Sequence, residues 1–344
     1  MRGRREVPVA LDFPSLQREA MPRPLPDVLP IRWPAGTAAP PPQTIAALER
    51  AARILEAGGL VAIPTETVYG LAAVATDAAA VERIFAAKGR PATNPLIVHV
   101  ADAAMARSLA ADWPDIAARL TAALWPGPLT VVVPRGPRIP DVVTAGGDTV
   151  ALRCPDHALT RLLLETVQAP LAAPSANRSL AVSPTTAAHV LEGLGNRVDL
   201  ILDAGACAHG IESTVVDCTL DPPRILRPGP VTATRLAEVL GAPLAAGPAQ
   251  PHPGPARAPG QLARHYAPRT PLELSAAATE RVAALLATGR RVGWLTTAVD
   301  APATRQFAAS NDLVLVPMPA EPAAYAAMLY AALHTLDTDD LAVT

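Results

Sequence analysis

The chain has 344 residues and a formal net charge of −2, from 29 Lys and Arg against 31 Asp and Glu. That balance argues against nucleic-acid binding through a broad basic face. Three cysteines (Cys154, Cys207, Cys218) without a Cys-x-x-Cys rule out a disulfide framework. Half the residues are hydrophobic but only 3% are aromatic, so alanine, valine and leucine must build the interior. No apolar run reaches the roughly 18 residues of a membrane helix, and the amino terminus has no sustained apolar segment of the signal-peptide kind. A cytoplasmic protein with no membrane partner is expected.

In chain order, residues 1–44 hold ten of the 39 prolines, including Pro40-Pro41-Pro42, and no clear hydrophobic period. They are expected to form a flexible extension. The body, 45–242, alternates strand and helix signals. Leu60 to Ile63 is a short apolar run closed by Pro64. Asp77 has N-cap chemistry, Val81, Ile84, Phe85 and Lys88 follow at helical spacing, and Gly89 is the stop. Further strands are expected at 96–100, 129–133, 150–152, 200–202, 214–216 and 224–226. Alanine-rich helices fall near 103–110, 115–124, 157–167 and 184–193, the last opening with Ser183-Pro184-Thr185 as N-cap and first-turn proline. Prolines cluster again over 243–271, a semi-rigid linker composition. Residues 272–344 then repeat the theme, with helices at 280–287 and 323–336 and strands at 291–296 and 313–316. The alternation predicts an α/β fold: a sheet with helices packed on it, and a smaller α/β domain behind the linker.

Common nucleotide and hydrolase templates are missing: there is no GxxxxGK[ST], GxSxG or HExxH. Instead, polar clusters follow apolar strands, where open α/β sheets hold ligands. Pro64-Thr65-Glu66-Thr67-Val68-Tyr69-Gly70 is either a surface turn or part of a site. Lys88 and Arg90, ahead of Asn94 to His99, either complement a helix dipole or flank a phosphate chain, Arg90 as a planar fork and Lys88 as a point charge. Arg153 ends an apolar strand and needs an anion, which a bound carboxylate or a structural acid would supply equally well. Helix capping explains Ser183 but not Ser175 and Asn177, which sit eight and six residues earlier. Gly210 to Asp217 and Arg227-Pro228-Gly229 complete the series. Cys207 and His209 fall short of a closed zinc site, so no metal ligands are assigned.

Together and in this order, PTETVYGL, KGRPxxNPLIVH, APSAN…SPTTA, GIESTVVD and LRPG resemble the YrdC-like threonylcarbamoyl-AMP synthase family over about residues 52–240. Pro259-Gly260 and His265-Tyr266-Ala267-Pro268, with α/β sequence behind them, resemble its longer two-domain branch. The resemblance implies a twisted α/β sheet with an open cavity, plus a small Rossmann-like C-terminal domain. It also implies a reaction in which threonine's amine captures bicarbonate or carbon dioxide and the carbamate attacks the α-phosphate of ATP. Pyrophosphate leaves, and the threonylcarbamoyl-adenylate passes to a tRNA-modifying transferase; direct tRNA binding stays open. Mg2+ is expected with the ATP, held largely by phosphate oxygens.

By the same resemblance, Thr65, His99, Arg153, Ala173 and Ser213 are threonine contacts, with Arg153 on the carboxylate. Lys88 and Arg90 are catalytic and, with Asn94, Thr149, Ser175, Asn177, Ser183, Arg227 and Tyr266, contact ATP. Tyr266 would fold back from the linker as part of a lid. The chain departs from the family's pattern at Leu180 and Ala204, where glycine is usual, and at Gln261, where methionine is usual. Its end at Asp340 to Thr344 reads as short of a last strand and helix. Two alternatives stand beside this reading: a diverged member acting on another carbamoyl or phosphate substrate, and a non-catalytic RNA-binding module. The near-zero charge and scarce aromatics disfavour the module.

Overall fold

The computed structural model describes residues 24–33, 39–245, 256–259, 266–297, 301–307, 310–337 and 341–343. Ten strands within these residues share one mixed sheet. In chain order they are β1 (Asp27–Pro30), β2 (Val61–Ile63), β3 (Gly70–Val74), β4 (Ile97–His99), β5 (Leu129–Pro134), β6 (Thr149–Arg153), β7 (Leu171–Ala172), β8 (Leu200–Asp203), β9 (Thr214–Asp217) and β10 (Arg224–Arg227). Across the sheet the order is β1-β8-β2-β3-β7-β4-β6-β5-β9-β10. The connecting helices are α1 (Pro42–Glu56), α2 (Ala78–Lys88), α3 (Ala103–Arg107), α4 (Asp115–Leu124), α5 (Asp141–Thr144), α6 (Ala158–Val167), α7 (Ala187–Leu194) and α8 (Ala233–Leu240).

The two-residue period of the strands decides what each face does. Ala73, Ala172, Val98, Leu152, Val131 and Val216 are successive cross-strand neighbours and point to one face. There they pack with Val81 and Ile84 of α2, Leu120 of α4 and Leu236 of α8. On the other face, α1 and α6 cover β2, β3 and β8, with Leu48, Leu55, Leu159 and Leu163 against Val61, Ile63 and Leu200. That helical cover does not extend to β4, β6, β5 and β9. Their residues on this face, Ile97, Ala151, Val132 and Val215, form a thin cluster with Ala258 of the proline-rich segment. From this strip Ile97 reaches the site.

Several expectations need correction. Residues 27–30, placed in a flexible extension, form edge strand β1, paired in parallel with β8 from Asp27↔Leu200 to Pro30↔Asp203. Arg50 of α1 forms an ion pair with Asp27 of that strand. An edge strand tolerates Pro30, whose missing N–H costs a central strand a ladder bond. The extension's first 23 residues lie outside the described residues. Strands β3 and β7 and helices α1, α5 and α8 have no counterpart among the expected elements. Helix α7 starts later than expected: Thr186 is its N-cap, accepting the His189 N–H, which leaves Ser183 outside the helix. Asp77 does cap α2, accepting the N–H groups of Ala79 and Ala80 at 3.0 and 3.1 Å, and Gly89 ends it at φ 61°.

The second unit consists of α9 (Ala278–Ala287), β11 (Val292–Thr296), α10 (Pro302–Arg305), β12 (Leu313–Pro317) and α11 (Pro322–Leu336), with β11 and β12 parallel. Its α11 lies on the body. The rings of His334 and His189 stack with centroids 3.9 Å apart, and His334 Nε2 lies 3.1 Å from the Ser183 carbonyl oxygen.

These histidines set a pH dependence. Burial, with His334 beside it, lowers His189 to about 4. His334 is also lowered by burial, against weaker opposing contacts, and burial lowers His99 to about 3. The unfolded chain therefore takes up protons near pH 6.5, where the folded one does not, so stability rises with pH across this window. The urea midpoint should fall between pH 7 and pH 5, and His189→Gln should flatten that fall. Equal midpoints at the two pH values would refute neutral, buried histidines.

Candidate active site

At the edge of this helix-free strip lies a cavity partly open to solvent. Two charged clusters meet on its walls. The first sits where β4 and β6 end side by side, with His99 and Arg153 as register partners. Arg153 is 3% exposed, so its charge needs an anion. Glu66 supplies one from behind, its Oε1 lying 2.7 Å from Arg153 Nη2. That contact is poorly angled for a hydrogen bond, and Arg153 Nε and Nη2 both remain without hydrogen-bond partners. Burial pushes the Glu66 carboxyl up, but Arg153 and backbone donors together outweigh it and the net value lies below the ordinary one. His99 Nδ1 is buried without a partner, and the ring is neutral. The cluster can accept one more small anion, with a fork of N–H donors and a neutral imidazole beside it.

The second cluster gathers Arg90, Arg227, Glu212 and Tyr266. Arg90 is pinned by its own turn, Nε donating to the Asn94 carbonyl at 3.0 Å and Nη2 to that of Pro95 at 2.7 Å. Burial lowers its guanidinium to about 10, so it stays charged at neutral pH. Arg227, at the end of β10, donates to the Ser213 carbonyl and hydroxyl, both at 3.0 Å, and to the Tyr266 hydroxyl at 2.7 Å. Glu212 lies 3.7 Å from Arg227 and accepts from the Ser183 hydroxyl at 2.7 Å. Burial pushes the Tyr266 phenol up to about 12, against the pull of Arg227.

Of the predicted residues, Thr65, Arg90, His99, Arg153, Ala173, Ser175, Arg227 and Tyr266 line this one cavity. The Thr65 hydroxyl is engaged by its own turn, donating to the Val68 carbonyl at 2.6 Å and accepting the N–H groups of Thr67 and Val68. Lys88, Asn94, Thr149, Asn177, Ser183 and Ser213 do not line it. Lys88 is enclosed: Nζ donates to the carbonyls of Ser175 and Asn177 at 2.5 and 2.6 Å and reaches Asn177 Oδ1 at 3.3 Å. It is thus a tether for the Ser175–Asn177 loop rather than an open point charge, and burial lowers its ammonium well below the ordinary value. Ser213 is held by Thr130 and Arg227. Asn177 donates to the carbonyls of Arg178 and Ala181. Asn94 keeps a buried Nδ2 without a partner. Thr149 shares Arg153's strand face, four residues back. In the linker, Pro259 and Tyr266 reach the cavity, and Arg257 is anchored on buried Asp217 at 3.1 Å. Gly260, Gln261 and His265 lie outside the described residues. Glu66 and Glu212 sat inside quoted motifs without an assigned role. The arginine at the strand end was the clue to Glu66, since a buried cation requires a carboxylate.

A mixed α/β sheet with a helix-free strip and a cavity lined by Arg90, Arg153 and Arg227 defines the class of fold. Residues 53–229 match the Sua5/YciO/YrdC family, described under telomere recombination, and residues 231–344 match the threonylcarbamoyl-AMP synthase C-terminal domain. The chain belongs to the Sua5/YciO/YrdC family, in its two-domain form. The threonylcarbamoyl-AMP synthase of Pyrococcus abyssi is 46% identical over 225 residues, 63% of this chain and 64% of that relative. That of Bacillus subtilis is 43% identical over 257 residues, 73% and 74% of the two chains. The alignment thus spans just under two thirds of the first relative and about three quarters of the second. The crystal structure of Pyrococcus abyssi Sua5 complexed with L-threonine has a TM-score of 0.82 at 36% identity, covering 92% of this chain and 91% of that one.

Proposed function

We propose that the chain is a threonylcarbamoyl-AMP synthase, a nucleotidyltransferase forming threonylcarbamoyl-adenylate and pyrophosphate from L-threonine, bicarbonate or carbon dioxide, and ATP. The observation that carries this reading is the pair of charged clusters in a single cavity: one suited to an amino-acid carboxylate, the other to phosphates. Arg153 takes the carboxylate, with His99 and the backbone at Ala173 beside it. The amine nitrogen then adds to the carbon of carbon dioxide, losing a proton to solvent and leaving a carbamate. A carbamate oxygen attacks the α-phosphorus, the bond to the bridging oxygen breaks, and pyrophosphate departs. No protein nucleophile is needed for this sequence; positioning and charge suffice. Arg90 and Arg227 supply that charge from fixed places, and Tyr266 with Pro259 limits water at a hydrolysable mixed anhydride.

The reading includes Mg2+ arriving on the triphosphate. Glu212 is the acidic side chain on the cavity wall, and it is already engaged by Ser183 and Arg227. A donor set of that kind fits an ion carried by phosphate oxygens rather than caged by the protein. The product would pass to a tRNA-modifying transferase in the cytoplasm. No helix among the described residues is long and apolar enough to cross a membrane.

The test is pyrophosphate release from ATP and bicarbonate, with and without L-threonine, using serine and glycine as controls. Release that requires both threonine and bicarbonate is expected. ATP binding with no threonine-dependent release would overturn the synthase reading.

A further inference from the structure

Three residues on one face of α11 press on three loops of the site. A β-carbon at Gly210, which sits at φ 62°, would overlap the backbone of Ala327, so the turn leading into Glu212 lies directly on the helix. Seven residues on, His334 meets the carbonyl of Ser183, whose hydroxyl holds Glu212. Between them, the ring of Tyr330 lies 6.3 Å from that of Tyr266, tilted by 33°. Positions 327, 330 and 334 follow the helical repeat, so a single rigid surface makes all three contacts.

Tyr266 needs outside support. Its backbone has φ 54°, the left-handed region that a tyrosine occupies at a cost of roughly 1–2 kcal/mol. After it, the Ala267 N–H donates to the Leu180 carbonyl at 3.0 Å. The hydroxyl reaches Arg227 across the cavity wall. Tyr330 stands against the ring and faces Glu212 and Arg227, and burial pushes its own phenol up.

We propose that Tyr330, on the second unit, is a positioning residue for the site: its ring backs Tyr266 so that the Tyr266 hydroxyl stays on Arg227. The inference rests on the nucleotide reading of Arg227 and Tyr266. It makes the C-terminal unit part of the phosphate end of the site and leaves the Arg153 end independent of it.

Calorimetric titration of the full chain with ATP and Mg2+, and separately with L-threonine, tests this without requiring turnover. Tyr330→Ala should weaken ATP binding about tenfold, Tyr330→Leu about fivefold, and Tyr330→Phe less than twofold, because the flat ring does the backing. Threonine affinity should stay within twofold in all three. Exposed Met328→Ala, on the same helix, should leave both ligands unchanged. ATP affinity at the wild-type level in Tyr330→Ala or Tyr330→Leu would overturn the proposal. So would a Tyr330→Phe as weak as the alanine variant, or a parallel loss of threonine, which would mark the helix as a general brace. Wild-type protein that binds ATP but releases no pyrophosphate would overturn the synthase reading and leave this comparison intact.

Discussion

Lys88→Ala is expected to lower threonine-dependent pyrophosphate release by at least ~100-fold, with a loss of stability accompanying the loss of rate. Nζ is the donor that holds the carbonyls of Ser175 and Asn177, and the Asn177 side chain reaches it too. Removing it leaves buried acceptors with no partner, at about 1–3 kcal/mol each. The Ser175–Asn177 loop, which forms part of the cavity wall, then loses its tie to the end of α2. Misplacing a binding loop by about 1 Å is enough for a ~100-fold loss. Lys88→Met separates the two effects: it keeps a buried stem at the end of α2 but still strands the carbonyls, so the rate should remain low while part of the stability returns. A few kcal/mol in a body of this size corresponds to a fall in Tm of roughly 5–10 °C. Near-normal release by Lys88→Ala would remove the tether from the mechanism.

Much of the strand and helix pattern of the body was legible where an element states its own boundaries. Asp77 and Gly89 bracket α2 by side-chain acceptor and left-handed cap, and apolar runs such as Leu129 to Val133 have only one place to go. Strand β1 was not legible. Its four residues carry no period of their own, and what makes them a strand is the distant backbone of Leu200 to Asp203. The same divide runs through the site. A strand-end arginine predicts that an anion exists, yet only the fold shows that Glu66 meets it from behind while two of its nitrogens keep no hydrogen-bond partner. Two cations near a helix end looked alike in sequence. The fold separates them, since Arg90 lines the cavity and Lys88 turns inward onto loop carbonyls. Leu180 is a third case. Glycine is usual at its position in the family, and its φ of 73° supplies the reason, because a β-carbon is strained there.

The second large effect is expected at Arg153. Arg153→Ala should raise the threonine KM by more than ~100-fold and leave ATP affinity within about threefold. Losing a charged, hydrogen-bonded partner in a desolvated site costs roughly 2–5 kcal/mol, and the Arg90 and Arg227 cluster is held by different bonds. The alanine variant also strands Glu66, a carboxylate that is 6% exposed, so it should be less stable than a ligand contact alone would explain. In this structure the ion pair lowers the Glu66 carboxyl, so the stability it gives is present above the ordinary carboxyl range and fades as pH falls through it. With Arg153 gone, burial is opposed only by backbone donors at Glu66 and its pKa should rise, moving acid unfolding of Arg153→Ala to higher pH. The double variant Arg153→Ala with Glu66→Gln removes the stranded charge, so stability should return while threonine binding does not. Arg153→Lys keeps the charge but loses the fork, and should fall between wild type and alanine in threonine affinity. Calorimetry for threonine and urea midpoints at pH 7 and pH 4.5 read the two quantities separately. If the double variant bound threonine as wild type does, Arg153 would be a purely structural partner of Glu66, and the carboxylate would have to be held elsewhere in the cavity.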